Sequence, residues 1–271
     1  MRILVLGNSD TLGSALAPGE QPWPEIVRGR LAAWAGAEVQ LEHRTLAPYG
    51  PRAVDHALKC VAETDPDLVV IILAGYTAVV GYVHLRVRQR FGARAERWYV
   101  RLERGFDRNT RRDGRETAVN NWSRRLVRKL LGTATYASLD EVASVYCDVL
   151  RRLSQREGVQ VLVAGDARFG EARRALNPGL LTGLQQLHAA VRPVVAEHRF
   201  LFVDGEDGIS GAPEREALFL PDAMHLNAAG HMAFASTVFD FLRGPSGLGP
   251  TPQLPTAGSF SGTSRPTGRE P

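Results

Sequence analysis

Long apolar runs are absent from this chain of 271 residues. No stretch approaches the roughly twenty apolar residues that a membrane-spanning helix needs. The apolar start at Ile3 is short and runs directly into Gly7-Asn8-Ser9, so it reads as a buried strand and not as a signal peptide. Cysteine is scarce. Cys60 and Cys147 show no metal-ligand spacing and fall in expected helices, so buried free thiols are expected in preference to a disulfide. These features together favour a cytoplasmic location as the expectation. Lysine is nearly missing as well: Lys59 and Lys129 are the two present, so the positive charge is carried by arginine. Internal repeats are also lacking. What remains, 44% hydrophobic and 23% charged residues, is ordinary for a globular protein with a sizeable core.

The net charge of +4 is unevenly spread. Residues 82 to 130 hold fifteen arginines and lysines against five acidic residues, a local balance of +10. The rest of the chain is therefore acidic.

Hydrophobic patterning gives alternating strands and helices. Arg2 to Leu6, Val39 to Leu46, Leu68 to Leu73, Val159 to Ala164 and Phe200 to Val203 read as strands. Leu68 to Leu73 is apolar throughout, as in a strand covered on both faces. Helical spacing appears in Pro24 to Ala35, Ala53 to Glu63, Leu139 to Arg156, Leu180 to Glu197 and Ala228 to Leu242. This order predicts an α/β protein: a three-layer α/β/α sandwich around a mostly parallel, flavodoxin-like five-stranded sheet. Residues 82–135 form an Arg-rich helical insertion after the third strand, expected to be helical in pieces and broken around Asp107 to Gly114. Residues 1–243 make up the folded domain. The tail, 244–271, is rich in Pro, Gly, Ser and Thr and is expected to be disordered.

In such sheets, ligands bind outside the carboxyl ends of the strands. Ser9, Gly50 and Gly75-Tyr76-Thr77 each follow a strand on that edge. Asp222 and His225 lie three residues apart before the closing helix, close enough for one loop to deliver both. A serine hydroxyl becomes a nucleophile when an imidazole accepts its proton, and the imidazole needs a partner to fix its tautomer. Charge developing on a substrate oxygen needs donors, for which the N–H groups of Ser9 and Gly50 are placed to serve.

At this point the residues resemble a known family. Leu6-Gly7-Asn8-Ser9-Asp10-Thr11-Leu12-Gly13 is similar to the first block of SGNH/GDSL hydrolases. Leu220 to His231, with Asp222, His225, Asn227, Gly230 and His231, closely matches their last block. The resemblance covers residues 1 to 242, apart from the insertion. It implies Ser9 as nucleophile, His225 as base, Asp222 as the orienting acid, and an oxyanion hole of Ser9, Gly50 and Thr77. Asn8, Tyr76 and Met224 are the expected substrate contacts. The implied activity is hydrolysis of carboxylic esters, esterase- or lipase-like, through an acyl-enzyme that needs no metal and no cofactor. Two positions depart from the family pattern: Asn8 stands where Asp is usual, and Thr77 stands where an oxyanion-binding Asn is expected. The second departure predicts a weakened or altered oxyanion hole.

Two further readings stay open on these residues: acyl transfer to an alcohol through the same triad, and a non-catalytic binding protein on a degenerate fold. Ser9 also has a plain structural reading as the cap of the first helix. The insertion has three: a solvated helical face, a cap selecting anionic or lipid-like substrates, or contact with a membrane surface or a nucleic acid. Trp98, Tyr99, Phe106 and Trp122 read as the insertion's own small core. No DNA- or RNA-binding motif accompanies them, so no nucleic-acid partner is expected.

Overall fold

The computed structural model describes residues 1–112, 126–166, 169–210, 214–244 and 247–248. Five strands, β1 (Arg2–Gly7), β2 (Gln40–Thr45), β3 (Leu68–Leu73), β4 (Gln160–Gly165) and β5 (Leu201–Val203), form one sheet in the order β2-β1-β3-β4-β5. All four pairings are parallel, with Ile3 beside Leu68, Leu68 beside Gln160, and Leu162 beside Leu201 in register. This is the flavodoxin-like order. Its switch point, where a crevice opens at the carboxyl edge, lies between β1 and β3.

Nine helices are used below: α1 (Trp23–Ala35), α2 (Ala53–Thr64), α3 (Tyr76–Val79), α4 (Val83–Arg112), α5 (Leu139–Leu153), α6 (Glu171–Leu176), α7 (Leu180–Glu197), α8 (Asp207–Ser210) and α9 (Ala228–Arg243). Strand side chains alternate between faces, and each face meets its own helices. Leu4, Leu6, Val69, Ile71, Val161 and Val163 pack with α2, α5 and α7. Ile3, Val5, Leu68, Val70, Leu162 and Ala164 pack with α1 and α9. Each fully buried side chain of this kind contributes about 1.5–3 kcal/mol. The two-sided burial explains why β3 is apolar at every position.

One buried polar group ties a strand end to a helix. The Tyr146 hydroxyl of α5 donates to the Ile72 carbonyl at 2.9 Å and accepts the Ala74 N–H at 2.7 Å. It fixes the turn that leaves β3 toward the site. Cys60 and Cys147 are free and buried. Among the described residues no helix is long and apolar enough to cross a membrane.

The insertion departs from expectation. α4 runs unbroken from 107 through Arg112, and its break lies instead at Gly92, whose φ of 82° is a conformation that suits glycine. Residues 113 and 114 of the expected break lie outside the described residues. Trp98 is not part of a small core: it is 66% exposed, as Phe91 is at 62%. The Phe106 side chain and Trp122 lie outside what is described. The tail also departs at its start, because Leu248 donates to the Leu242 carbonyl at 2.6 Å and packs on the α1–α9 layer. Beyond residue 248 the tail lies outside the described residues.

Candidate active site

β1 ends in a tight turn. A side chain at Gly7 would collide with that of Thr11, so the backbone approach requires glycine. Thr11 is buried and donates to the Asn8 carbonyl at 2.6 Å, while the Asn8 side-chain oxygen accepts the Asp10 N–H at 3.1 Å. Ser14 N–H closes the loop on the Ser9 carbonyl at 3.1 Å. These bonds hold Ser9 at the carboxyl edge of β1. Ser9 caps no helix: α1 begins at Trp23, and its cap position is Pro22.

The second half of the site is a small hairpin leading into α9. Phe219 and Leu226 pair as an antiparallel bridge, and Leu220 N–H donates to the His225 carbonyl at 2.8 Å. Asn227 caps α9 by accepting the Gly230 N–H at 3.0 Å and anchors backward by donating to the Ala217 carbonyl at 2.6 Å. Ala223, at the tip, takes a left-handed φ of 51°.

Within the hairpin, one Asp222 oxygen accepts the N–H groups of Met224 at 2.9 Å and His225 at 3.0 Å. The other lies 2.7 Å from His225 Nδ1. Across the crevice, His225 Nε2 lies 3.0 Å from Ser9 Oγ, although 216 residues separate them in the chain. The Asp222 contact places the ring proton on Nδ1, which leaves Nε2 to accept from the Ser9 hydroxyl. Hydroxyl, imidazole and carboxylate therefore stand in one hydrogen-bonded row.

The electrostatics follow from these contacts. Burial alone would raise the Asp222 carboxyl, but the hydrogen bonds from the His225 ring and from two backbone N–H groups outweigh it and bring it down to about 2. His225 is raised above 6.5, chiefly by its bond to Asp222; burial opposes this, and the carboxylates of Asp10 and Asp166 reinforce it. Asp10 itself is pushed up to about 6 by burial, partly relieved by His225 and the Leu226 N–H.

The remaining predicted site residues are placed differently. Among the described residues the Ser9 N–H has no hydrogen-bond partner. Gly50 and Thr77 are corrected as oxyanion donors. The Gly50 N–H donates to Glu141 Oε1 at 3.1 Å. Thr77 is buried, and its hydroxyl donates to the Ala74 carbonyl at 3.0 Å. Both donors are engaged by groups of the chain itself. The Asn8 side chain serves its own turn. Tyr76 and Met224 pack on one apolar cluster with Val80, Phe169, Leu180 and Leu184.

Sequence reasoning missed Asp10 and Asp166, whose charges reach His225 through space. It also missed that Glu141 of α5 takes the Gly50 N–H. The neighbouring run Asp10-Thr11 was visible, but nothing in it announced a buried carboxyl. His231 is buried in α9 and accepts the Trp23 N–H on Nδ1 at 3.2 Å. Among the described residues there is no group of three or more His, Cys, Asp or Glu side chains arranged to hold a metal.

No family model and no curated protein matches the sequence. Solved structures do resemble it. TesA is 16% identical over 90% of this chain and 98% of that one, with a TM-score of 0.53. The lipase/acylhydrolase from Enterococcus faecalis is 15% identical over 89% and 95%, with a TM-score of 0.51. A catalytic mutant of an acetylxylan esterase from Geobacillus stearothermophilus is 15% identical over 89% and 93%, with a TM-score of 0.52. These proteins belong to the SGNH/GDSL hydrolase family, and the chain has their fold. At such identities the likeness is one of architecture.

Proposed function

We propose that this chain is a serine hydrolase of carboxylic esters, of the SGNH/GDSL kind. The observation that carries the reading is the row Ser9 Oγ–His225 Nε2 at 3.0 Å and His225 Nδ1–Asp222 Oδ2 at 2.7 Å. The shared fold with esterases and lipase/acylhydrolases supports it independently.

In this reading His225 Nε2 takes the Ser9 proton as Oγ attacks the ester carbonyl. Asp222 keeps the ring in the right tautomer and stabilises the imidazolium that forms. The tetrahedral oxyanion is held by the Ser9 N–H. The imidazolium then gives its proton to the leaving alcohol, and the acyl group stays on Ser9. A water molecule, deprotonated by His225, attacks the acyl-enzyme and returns Ser9 to its starting state. With Gly50 and Thr77 engaged elsewhere, the oxyanion receives fewer donors. Removing one such donor lowers turnover about 10²–10³-fold in a well-studied protease, so modest turnover is expected here.

The test is a series of 4-nitrophenyl esters of increasing chain length, with Ser9→Ala as the blank. Turnover by the native protein and loss of about 10⁶-fold in kcat in the variant are expected. Turnover that survives the substitution would defeat the reading.

A further inference from the structure

The catalytic row leaves the Arg-rich part of the molecule unexplained. A cavity of about 350 Å³ lies between α4, the helical residues 126–131 and α6, with Tyr82, Tyr99, Glu103, Arg128, Arg173 and Leu176 among its walls. It is linked to the catalytic hairpin by shared packing and by one backbone hydrogen bond. Tyr82 and Met224, the residue before His225, pack on the same apolar cluster. The backbone entering α6 is pinned to the hairpin, with Gly170 N–H donating to the Ala223 carbonyl at 2.9 Å.

Two guanidinium groups meet here without an acid to balance them. Arg128 donates to the Gly81 carbonyl and to Asn177 Oδ1, both neutral acceptors. Burial raises the Tyr82 hydroxyl's pKa and the Arg173 guanidinium lowers it from close by, while the Arg173 Nε is itself buried and has no hydrogen-bond partner. Neither arginine forms an ion pair with a carboxylate among the described residues. Glu103 shares the cavity wall but is exposed to solvent. Burial, and then the charge of Arg173, drives Arg128 below its ordinary range, so the pair stands in mutual repulsion. An anion between them would relieve that repulsion and use the unpaired Nε. Guanidinium groups suit carboxylate and phosphate because they donate in a planar fork. The aromatic rings of Tyr82 and Tyr99 and the Leu176 side chain give the same cavity an apolar wall. Its volume falls in the range of small-molecule pockets.

We propose that this cavity receives the negatively charged end, carboxylate or phosphate, of a small ester whose carbonyl lies at Ser9. The inference rests on the serine-hydrolase reading and names the substrate class for it.

The test compares 4-nitrophenyl acetate with singly charged 4-nitrophenyl hydrogen succinate, which share a leaving group. In parallel, calorimetric titrations of the protein with succinate and with inorganic phosphate require no turnover. Arg173→Gln should lower the ratio of kcat/KM for the charged ester over the neutral one by about tenfold, mainly through KM. Arg173→Lys should recover part of it. Succinate, phosphate or both should bind saturably, more weakly in Arg173→Gln and at high salt; the tighter of the two identifies the acidic group. Thermal melting of each variant establishes that it is folded. Because Arg128 also holds Gly81 and Asn177, Arg128→Gln serves as a second probe only if its melting is cooperative.

Anion binding lost on Arg173→Gln, with neither ester hydrolysed, would keep the cavity and sink the hydrolase reading. Hydrolysis of both esters with an unchanged ratio in Arg173→Gln, and no binding of either anion, would sink the cavity and leave the hydrolase reading standing.

Discussion

His225 and His231 lie six residues apart in one segment, yet the fold tunes them in opposite directions. His225 sits in the hairpin at the sheet edge, partly open, with a carboxylate on one nitrogen and a hydroxyl on the other. Its pKa is raised. His231 sits one turn into α9, buried against α1, where its ring accepts a backbone N–H beneath the Trp23–Phe234 ring pair. Burial holds it down to about 4. The first ring can take up a proton readily; the second must stay neutral to keep its bond. Residue type did not decide between proton carrier and structural acceptor. The partner on the other end of the ring did.

The contrast can be broken from either side. The largest effect is expected from Asp222→Asn, which removes the carboxylate and lets the ring adopt the wrong tautomer. Ester turnover should fall about 10⁴-fold with little change in thermal melting. Equal turnover in this variant would show that His225 is not oriented by Asp222.

Next in size is His231→Ala. It leaves the Trp23 N–H unpaired between α1 and α9 and opens a void, and should cost about 2–4 kcal/mol in denaturant unfolding. The pH dependence gives a sharper test. The folded pKa of His231 is depressed from 6.5 to about 4, so its contribution is complete above 6.5 and is lost as pH falls through about 4. Native protein should lose stability across that window, and the variant should show a shallower slope there. A parallel slope would place the acid sensitivity elsewhere.

The smallest effect belongs to Asp10→Asn. Ionised Asp10 favours the imidazolium form of His225, so its removal should lower the His225 pKa. The rising limb of kcat/KM against pH should move to lower pH by a fraction of a unit. A limb that stays in place would remove Asp10 from the electrostatics of the site.

Much of the fold was legible because it follows from local pattern. Four of the five strands are short and mainly apolar, β2 is an amphipathic run, and their alternation with helices fixes a parallel sheet with a crevice at one edge. Ser9 and the Asp222–His225 pair were legible because they fall at that edge in the right chemistry. The rest depends on partners distant in the chain. Nothing near Gly50 reveals that Glu141 takes its N–H, and nothing near Thr77 shows its hydroxyl turned back on Ala74. Similarly, α4 bends at Gly92 because one residue adopts a positive φ, whereas the expected break starting at Asp107 is helical through Arg112. Composition reports that a turn is affordable, while packing decides where it occurs.

The central claim is that Ser9 is activated by His225. Fluorophosphonate labelling of folded protein, with the adduct mapped by peptide mass, tests it without knowledge of the natural substrate. A single adduct on Ser9, formed with loss of fluoride and abolished in His225→Ala, is the predicted result. An unlabelled Ser9 in the folded native protein, or labelling at the same rate in His225→Ala, would contradict it.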